Sequence, residues 1–461
     1  MFIATFAIAS DGGTCESVPI GNQLELFVDS HILGTMDGVT RILHEPRDEG
    51  AVIVLNKSWE GPISAYFTVI KDGEESYKMY YRAGEYLTAV LTSRDGKTWE
   101  RPQFDLVEKG GEKTNIIYKT TTGGVTHNFA PFIDTRPGVP QTERYKALGG
   151  LDALFAFVSE DGIHWKKIQD NGVIRENRKA FDSQNVAFWS ESENKYICYY
   201  RTSVDKIRKI ARVESDDFIH WTAPQEMTYG DVPFEQLYTN QTLPYYRAPQ
   251  IYLAIAARFM KDKQVVSEEK AKELGVVMDM YHDCSDVILM TTRGGYVYDR
   301  TFMEGFVRPG IGWENWVSRS NYPARGIVQT SPTEMSLYVQ HNFAQPTHEI
   351  HRYSLRIDGF VSVHASYQEG VFTTKPLTFS GSDLILNYST SAAGSIEVEL
   401  LDENDCPIPG FERAQSPLLV GNWIDDVVLF KNNKNVNELI GKPVKIRFYM
   451  KDADLYSLQF K

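Results

Sequence analysis

Ser93-Arg94-Asp95-Gly96-Lys97-Thr98-Trp99 decides how this chain folds, because it returns. It recurs as Ser159-Glu160-Asp161-Gly162-Ile163-His164-Trp165 and, with phenylalanine in the glycine place, as Ser215-Asp216-Asp217-Phe218-Ile219-His220-Trp221. The three tryptophans stand 66 and 56 residues apart. Each copy follows an apolar run that reads as a strand: Tyr86 to Thr92, Ala153 to Val158 and Ile207 to Val213. Asp-Gly supplies a tight turn, and the tryptophan caps the next strand by packing on it. Weaker versions, Thr292-Arg293-Gly294-Gly295-Tyr296 after Val287 to Thr291 and Arg356-Ile357-Asp358-Gly359-Phe360 after His351 to Leu355, complete five units.

A further strand pair precedes each copy. The pairs are Ala65 to Ile70 with Tyr77 to Arg82, Phe129 to Ile133 with Arg144 to Leu148, and Asn185 to Trp189 with Lys195 to Arg201. Thr242 to Tyr246 with Ile251 to Arg258, and Gly326 to Thr330 with Met335 to His341, follow the same plan. Three or four antiparallel strands repeated five times predict an all-β chain: a five-bladed β-propeller over 21–369, followed by a small β-sandwich over 370–461. The competing reading is a pair of sandwiches with coincidental turns. Residues Leu24 to Leu55 add strands, one of which is expected to close the ring or cover an edge. Ser267 to Gly275 reads as a short capped helix inserted in unit four. Residues 1–20 read as a signal remnant or a disordered N-terminus. Their apolar, small-residue opening, without a basic n-region, points to a periplasmic or secreted protein.

Composition narrows the function classes. The 461 residues carry 48 basic and 61 acidic side chains, a net charge of −13, which argues against nucleic acid as a partner. No apolar run is long enough to cross a bilayer, so no membrane partner is expected. Aromatics make up 12%, which suits both strands and sugar-stacking pockets. Cys15, Cys198, Cys284 and Cys406 form no CxxC pair, so no metal is expected, and Cys198 reads as a buried thiol. No cofactor motif is present; a structural cation on the propeller axis stays open. Oligomeric state is not written in the sequence.

Blade geometry itself locates a site. The start of each inner strand and the end of the second strand meet on one face around the axis. Residues ahead of the inner strands are Trp59-Glu60-Gly61, His127-Asn128, Asp182-Ser183-Gln184-Asn185, Glu235-Gln236 with Tyr238 and Asn240, and Trp313-Glu314 with Arg319 and Asn321. Arg82, Arg201, Arg258 and His341 end the second strands. Carboxylates, amides, arginines and flat aromatic faces ringing one pocket suit an oligosaccharide or polysaccharide and the two-carboxylate chemistry of glycoside hydrolysis. Each acid also has a plainer reading: Glu60 as a turn cap, Asp182 in an Asx turn, Glu235 and Glu314 as solvated loop charges. Asp95, Asp161 and Asp217 are assigned to the turns. Arg82 and Arg201 could hold a substrate carboxylate or sulfate, or pair internally with Glu60 or Asp182.

The chain resembles the five-bladed propeller glycosidases related to glycoside hydrolase families 32, 43 and 117, most closely the family-32-like bacterial proteins with a small C-terminal β-domain. The resemblance rests on Leu26-Phe27-Val28-Asp29, Trp59-Glu60-Gly61, the Ser-x-Asp-Gly-x-x-Trp turns, Arg356 to Ser362, Thr374-Lys375-Pro376-Leu377 and Ala453 to Phe460. It implies acids on separate blades, with Glu60 at the blade-one place and Asp182 at the blade-three place. The blade-two place, normally aspartate, holds His127-Asn128, so His127 shares proton transfer or Glu235 or Glu314 supplies the missing acid. The Asn-Asp-Pro-Asn entry motif of family 32 is absent, which argues against fructan hydrolysis.

The leading expectation is therefore an exo-acting glycosidase on plant or algal oligosaccharides, anionic sugars included, with Glu60 as base or nucleophile, Asp182 as acid and Glu235 in reserve. The rivals are a carbohydrate-binding propeller without catalysis, a polysaccharide lyase, and a sialidase-like enzyme using Arg82, Arg201, Arg258 and Tyr238.

Overall fold

The computed structural model describes residues 17–84, 86–176, 180–204 and 207–461. The described residues divide into two compact units, 43–360 and 1–42 with 361–461, the described part of the latter starting at residue 17. No helix among them is long and apolar enough to cross a membrane.

Unit 43–360 is the five-bladed propeller. Blade one is Ala65–Lys71, Tyr77–Ala83, Leu87–Ser93 and Ile116–Lys119, and blade two is Ala130–Ile133, Tyr145–Gly149 and Ala153–Ser159 with a split outer strand. Blade three is Val186–Ser190, Lys195–Val204, Ile207–Ser215 and Gln225–Glu226. Blade four is Thr242–Tyr245, Ala248–Met260 and Cys284–Thr292, and blade five begins with Val328–Ser331, Glu334–His341 and Glu349–Arg356. The fourth strand of blade five is Arg47–Val54, which precedes blade one in the chain and pairs antiparallel with Glu349–Arg356. It closes the ring, the role foreseen for one strand of the 24–55 segment.

The repeated turns work by local chemistry. In the first, Asp95 Oδ1 accepts from the backbone N–H groups of Lys97 and Thr98 at 2.7 and 2.8 Å, while Ser93 Oγ accepts from Gly96 N–H at 2.8 Å. Asp161 and Asp217 repeat the pattern. The central residue is left-handed in all three copies: Gly96 at φ 69°, Gly162 at 76° and Phe218 at 69°. Trp165 and Trp221 donate to the carbonyls of Gly162 and Phe218 at 3.0 and 3.1 Å, stapling each tryptophan to its own turn. The expected helix is present as Glu268–Glu273, with Ser267 Oγ accepting from Lys270 N–H. It lies between the second and third strands of blade four, on the face where the inner strands begin.

The other unit is a β-sandwich built around two long bulged strands, Leu384–Leu401 and Lys445–Phe460, paired along most of their length. Here the expected boundaries need correcting. Val18–Gly21, Glu25–Leu26, Leu33–Asp37 and Val39–Leu43 pair with strands after residue 360, and Leu24, Leu26, Phe27, Val28 and Ile32 are buried. N-terminal strands thus complete a C-terminal sheet, a long-range pairing with no local signature. The expected signal remnant falls on 1–16, outside the described residues, but Val18–Gly21 is an ordered strand.

Candidate functional site

Inner strands that run down a common axis bring the residues ahead of them to one end of it. All five blades contribute there: Tyr66 and Arg82 from blade one, His127 from blade two, Asp182, Arg201 and Arg208 from blade three. Blade four supplies Tyr238 and Asp283, and blade five Arg319 and Tyr322.

Asp182 stands at the centre, its side chain 48% exposed. His127 Nε2 is 2.9 Å from Asp182 Oδ1, and Arg201 Nη2 is 3.6 Å from Oδ2. Arg82 Nη1 lies 3.2 Å from the His127 ring nitrogens and Nη2 donates to the Ile63 carbonyl at 2.7 Å. One neutral tautomer fits: Nε2–H donates to Asp182 while Nδ1 accepts from Arg82. Burial, reinforced by Arg82 and Arg319, holds His127 below the ordinary histidine range despite the Asp182 hydrogen bond. For Asp182, burial favours the neutral acid, but His127, Arg201 and Arg319 outweigh it and keep the carboxyl below its usual range.

Asp283 was not singled out from the sequence. It follows the helix-bearing insertion, directly before the third strand of blade four, and accepts a hydrogen bond from Ser318 Oγ. Burial pushes its carboxyl up, only partly offset by Ser318, Arg319 and Arg208. The cluster therefore holds two carboxyl groups whose surroundings drive their protonation in opposite directions, both acting on Arg319. Tyrosines wall it. The guanidinium of Arg82 lies 4.9 Å from the Tyr66 ring centre, and those of Arg201, Arg208 and Arg319 lie 4.9, 5.3 and 5.4 Å from that of Tyr238. Tyr322 packs on Tyr238 with ring centres 5.0 Å apart. Tyr66 and Arg319 both sit at φ 60°, a left-handed backbone that costs energy and aims side chains.

The structure thus brings Arg82, His127, Asp182, Arg201, Tyr238 and Arg319 together. It places other expected residues elsewhere. Glu60 is the main correction. Its side chain is fully buried in blade one, where Arg101 grips both oxygens (Nε–Oε1 2.8 Å, Nη2–Oε2 2.9 Å), Tyr81 donates at 2.6 Å and Lys57 N–H at 3.0 Å. No oxygen is left to meet a substrate. Trp59 lies in the same core, donating to Asn115 at 2.9 Å.

Glu235, the reserve acid, has both oxygens engaged: Arg258 at 2.7 Å and Arg300, with Arg258 also bound to Asp286. That arginine–carboxylate cluster lines a separate depression of about 650 Å³. Asn128, Asn185 and Asn240 are buried and spent on backbone groups. Gln184 lies on the axis but bonds Phe67, Thr68 and Gln241 rather than facing a ligand. Trp313 is half exposed, and Glu314 is exposed with its carboxylate turned back on the Trp313 N–H at 2.9 Å.

His341 stacks on His351 at 3.8 Å instead of facing the axis. With Asp48 these two histidines are the metal-compatible group among the described residues. All four ring nitrogens are already hydrogen-bonded, to Asn315, Tyr353, Asp48 and Glu349, and parallel rings do not converge their lone pairs on one ion. An apolar cavity of about 620 Å³, lined by Val69, Phe132, Phe188 and Leu253 among others, opens at the opposite ends of the inner strands and shares no residue with the Asp182 cluster.

No protein-family model matches this chain, and no curated protein does. Among solved structures it is similar to a glycoside hydrolase family 43 arabinoxylan arabinofuranohydrolase from Bacillus subtilis (TM-score 0.41, 10% identity, 87% of this chain and 96% of that one). It is also similar to an N-acetylgalactosamine deacetylase from F. plautii (0.44, 11%, 70% and 97%) and to an exo-β-1,3-galactanase from Phanerochaete chrysosporium (0.39, 12%, 89% and 100%). At such identity, function has to be argued from the site.

Proposed function

We propose that the protein is a glycoside hydrolase that works at the axial cluster, exo-acting on oligosaccharides derived from plant or algal polysaccharide, and that it is exported. Asp182, whose carboxyl is biased toward the ionised form, attacks the anomeric carbon or activates water, and Asp283, whose carboxyl is shifted the other way by burial, donates to the leaving oxygen. This reverses the expected part of Asp182 and replaces Glu60. The supporting observation is that two carboxyl groups whose surroundings shift them in opposite directions share the Arg319 charge beside Tyr66, Tyr238 and Tyr322. His127 orients Asp182 through its 2.9 Å bond, filling the blade-two place with a neutral imidazole.

The test is release of reducing sugar from a panel of oligosaccharides by the native chain and by Asp182→Asn and Asp283→Asn. Each variant is expected to lose about 10²–10⁴-fold in kcat while melting like the parent. Turnover unchanged in both variants would discard the assignment. A second reading, a sugar-binding propeller without catalysis, is favoured by the engagement of Asp182 with both His127 and Arg201. It predicts saccharide binding by calorimetry and no product after long incubation.

A further inference from the structure

The axial cluster holds more positive charge than it pairs. Among the described residues Arg82, Arg208 and Arg319 contact no carboxylate. Arg82 is spent on His127 and the Ile63 carbonyl and leaves Nε buried without a partner. Arg208 Nη1 donates to the neutral Gln236 at 2.8 Å. The Arg319 guanidinium makes no hydrogen bond among the described residues and rests against Tyr238. Asp283, the carboxyl that faces Arg208 and Arg319, takes its hydrogen bond from Ser318 instead.

Two of these, Arg208 and Arg319, join Arg201, the partner of Asp182, so that three guanidinium groups lie within 5.4 Å of the centre of the Tyr238 ring. Like charges crowded into a partly buried site repel one another, and an incoming anion relieves that repulsion. The chain as a whole is strongly acidic, at −13, so this local surplus runs against its general charge. Guanidinium is also the cation whose planar fork matches a carboxylate or sulfate, and the left-handed backbone of Arg319 is what delivers it here.

We propose that the substrate is a sugar bearing an anionic substituent, a carboxylate or a sulfate ester, received by Arg319 and Arg208 beside Tyr238 while the bond to be cut faces Asp182. The proposal rests on the hydrolase reading and names its substrate class.

The experiment uses the full chain and matched pairs of oligosaccharides: galacturonic acid against galactose, glucuronic acid against glucose, sulfated against unsulfated galactose, with a sialic acid glycoside as a further arm. Binding is measured by calorimetry and turnover by product release, for the native protein, Arg319→Gln, Arg208→Gln and Asp182→Asn, each checked for a native melting profile. The anionic member of at least one pair is expected to bind about 10- to 100-fold tighter than its neutral twin, with the preference falling as salt is raised. Arg319→Gln and Arg208→Gln should each cut that preference by about 10-fold, and the pair that responds identifies carboxylate or sulfate. Asp182→Asn should keep the preference and lose turnover.

Turnover of neutral sugars with no anionic preference would overturn the proposal and leave the hydrolase reading standing. An arginine-dependent anionic preference without any turnover would support the proposal and overturn that reading. A preference that survives both arginine substitutions would also overturn the proposal.

Discussion

The fates of Glu60 and Asp182 show what a single residue's place in sequence tells and what it conceals. Both precede inner strands, and only the partners distinguish them: Arg101, 41 residues beyond Glu60, consumes one carboxylate, whereas His127 and Arg201 leave the other half exposed. Asp283 escaped notice because it precedes a third strand behind an insertion; the hint was that the ends of second strands and the starts of third strands share the face that carries the axial cluster. Two predictions belong at this scale. Glu60→Gln leaves the partly buried Arg101 guanidinium without its countercharge, so it should cost about 1–3 kcal/mol of stability, read as a lowered urea midpoint, with turnover per folded molecule retained. Loss of turnover at unchanged stability would return Glu60 to the mechanism. The pH–rate profile follows from the shifted carboxyls. Activity should rise through an Asp182 pKa below the usual carboxylate range and fall through an Asp283 pKa above it, giving an optimum on the acid side of neutrality. A rate still climbing above about pH 8 would sink that pairing.

The elements were the most legible level, because each turn carries its own instructions. Asp, Gly and Trp at fixed spacing form the same hydrogen bonds in every strong copy, so strands flanking them could be placed within a few residues. The odd copy is the instructive one. Phe218 accepts a left-handed backbone in exchange for packing against Trp221, Phe132 and Tyr196, with ring centres 5.2 to 5.7 Å away. Phe218→Gly would relieve strain of about 1 kcal/mol and forfeit about 3–5 kcal/mol of packing, a net loss of about 2–4 kcal/mol by denaturant unfolding. A stabilised variant would mean that backbone strain dominates.

The closing strand was visible as a strand but its partner was not, since Asp48 and His351 are 303 residues apart. Burial disfavours protonated His351, but hydrogen bonds to Asp48 and Glu349 outweigh it and raise its pKa. Its neighbour His341 is driven by burial to about 3 and stays neutral, while burial raises Asp48 less than His351 and the Gly50 N–H lower it. A raised histidine pKa stabilises the fold fully below the unfolded value and loses that contribution as pH rises through the folded one. The stability gap between the native chain and His351→Gln should therefore be wider at about pH 5.5 than at about pH 9; the reverse order would remove His351 from the closure.

At the scale of the whole propeller, the question is what keeps five separately encoded sheets in one ring, and three buried side chains below the site answer it. Gln184 of blade three donates to Phe67 and Thr68 of blade one at 2.9 and 2.7 Å; Gln241 of blade four donates to Gln184 and to Pro323 of blade five at 2.6 and 2.8 Å. Arg325 of blade five reaches the carbonyls of Pro131 in blade two and Ala187 in blade three. All five blades are thereby joined through polar contacts that no periodicity announces. Blades one and five also meet backbone to backbone, Val69 N–H to Arg325 O at 2.7 Å and Arg325 N–H to Phe67 O at 2.8 Å. Burial depresses the Arg325 pKa to about 9, a sign that this cation is costly to keep. Arg325→Met removes the desolvated charge but strands two inward carbonyls, each worth about 1–3 kcal/mol. If the carbonyls matter more, the variant unfolds about 2–4 kcal/mol more easily, and still in one transition for unit 43–360, because Gln184 and Gln241 continue to tie blades one, three, four and five together. If it is as stable as the parent, the ring is held by its backbone seams and the closing strand alone, and the axial network serves only to floor the site.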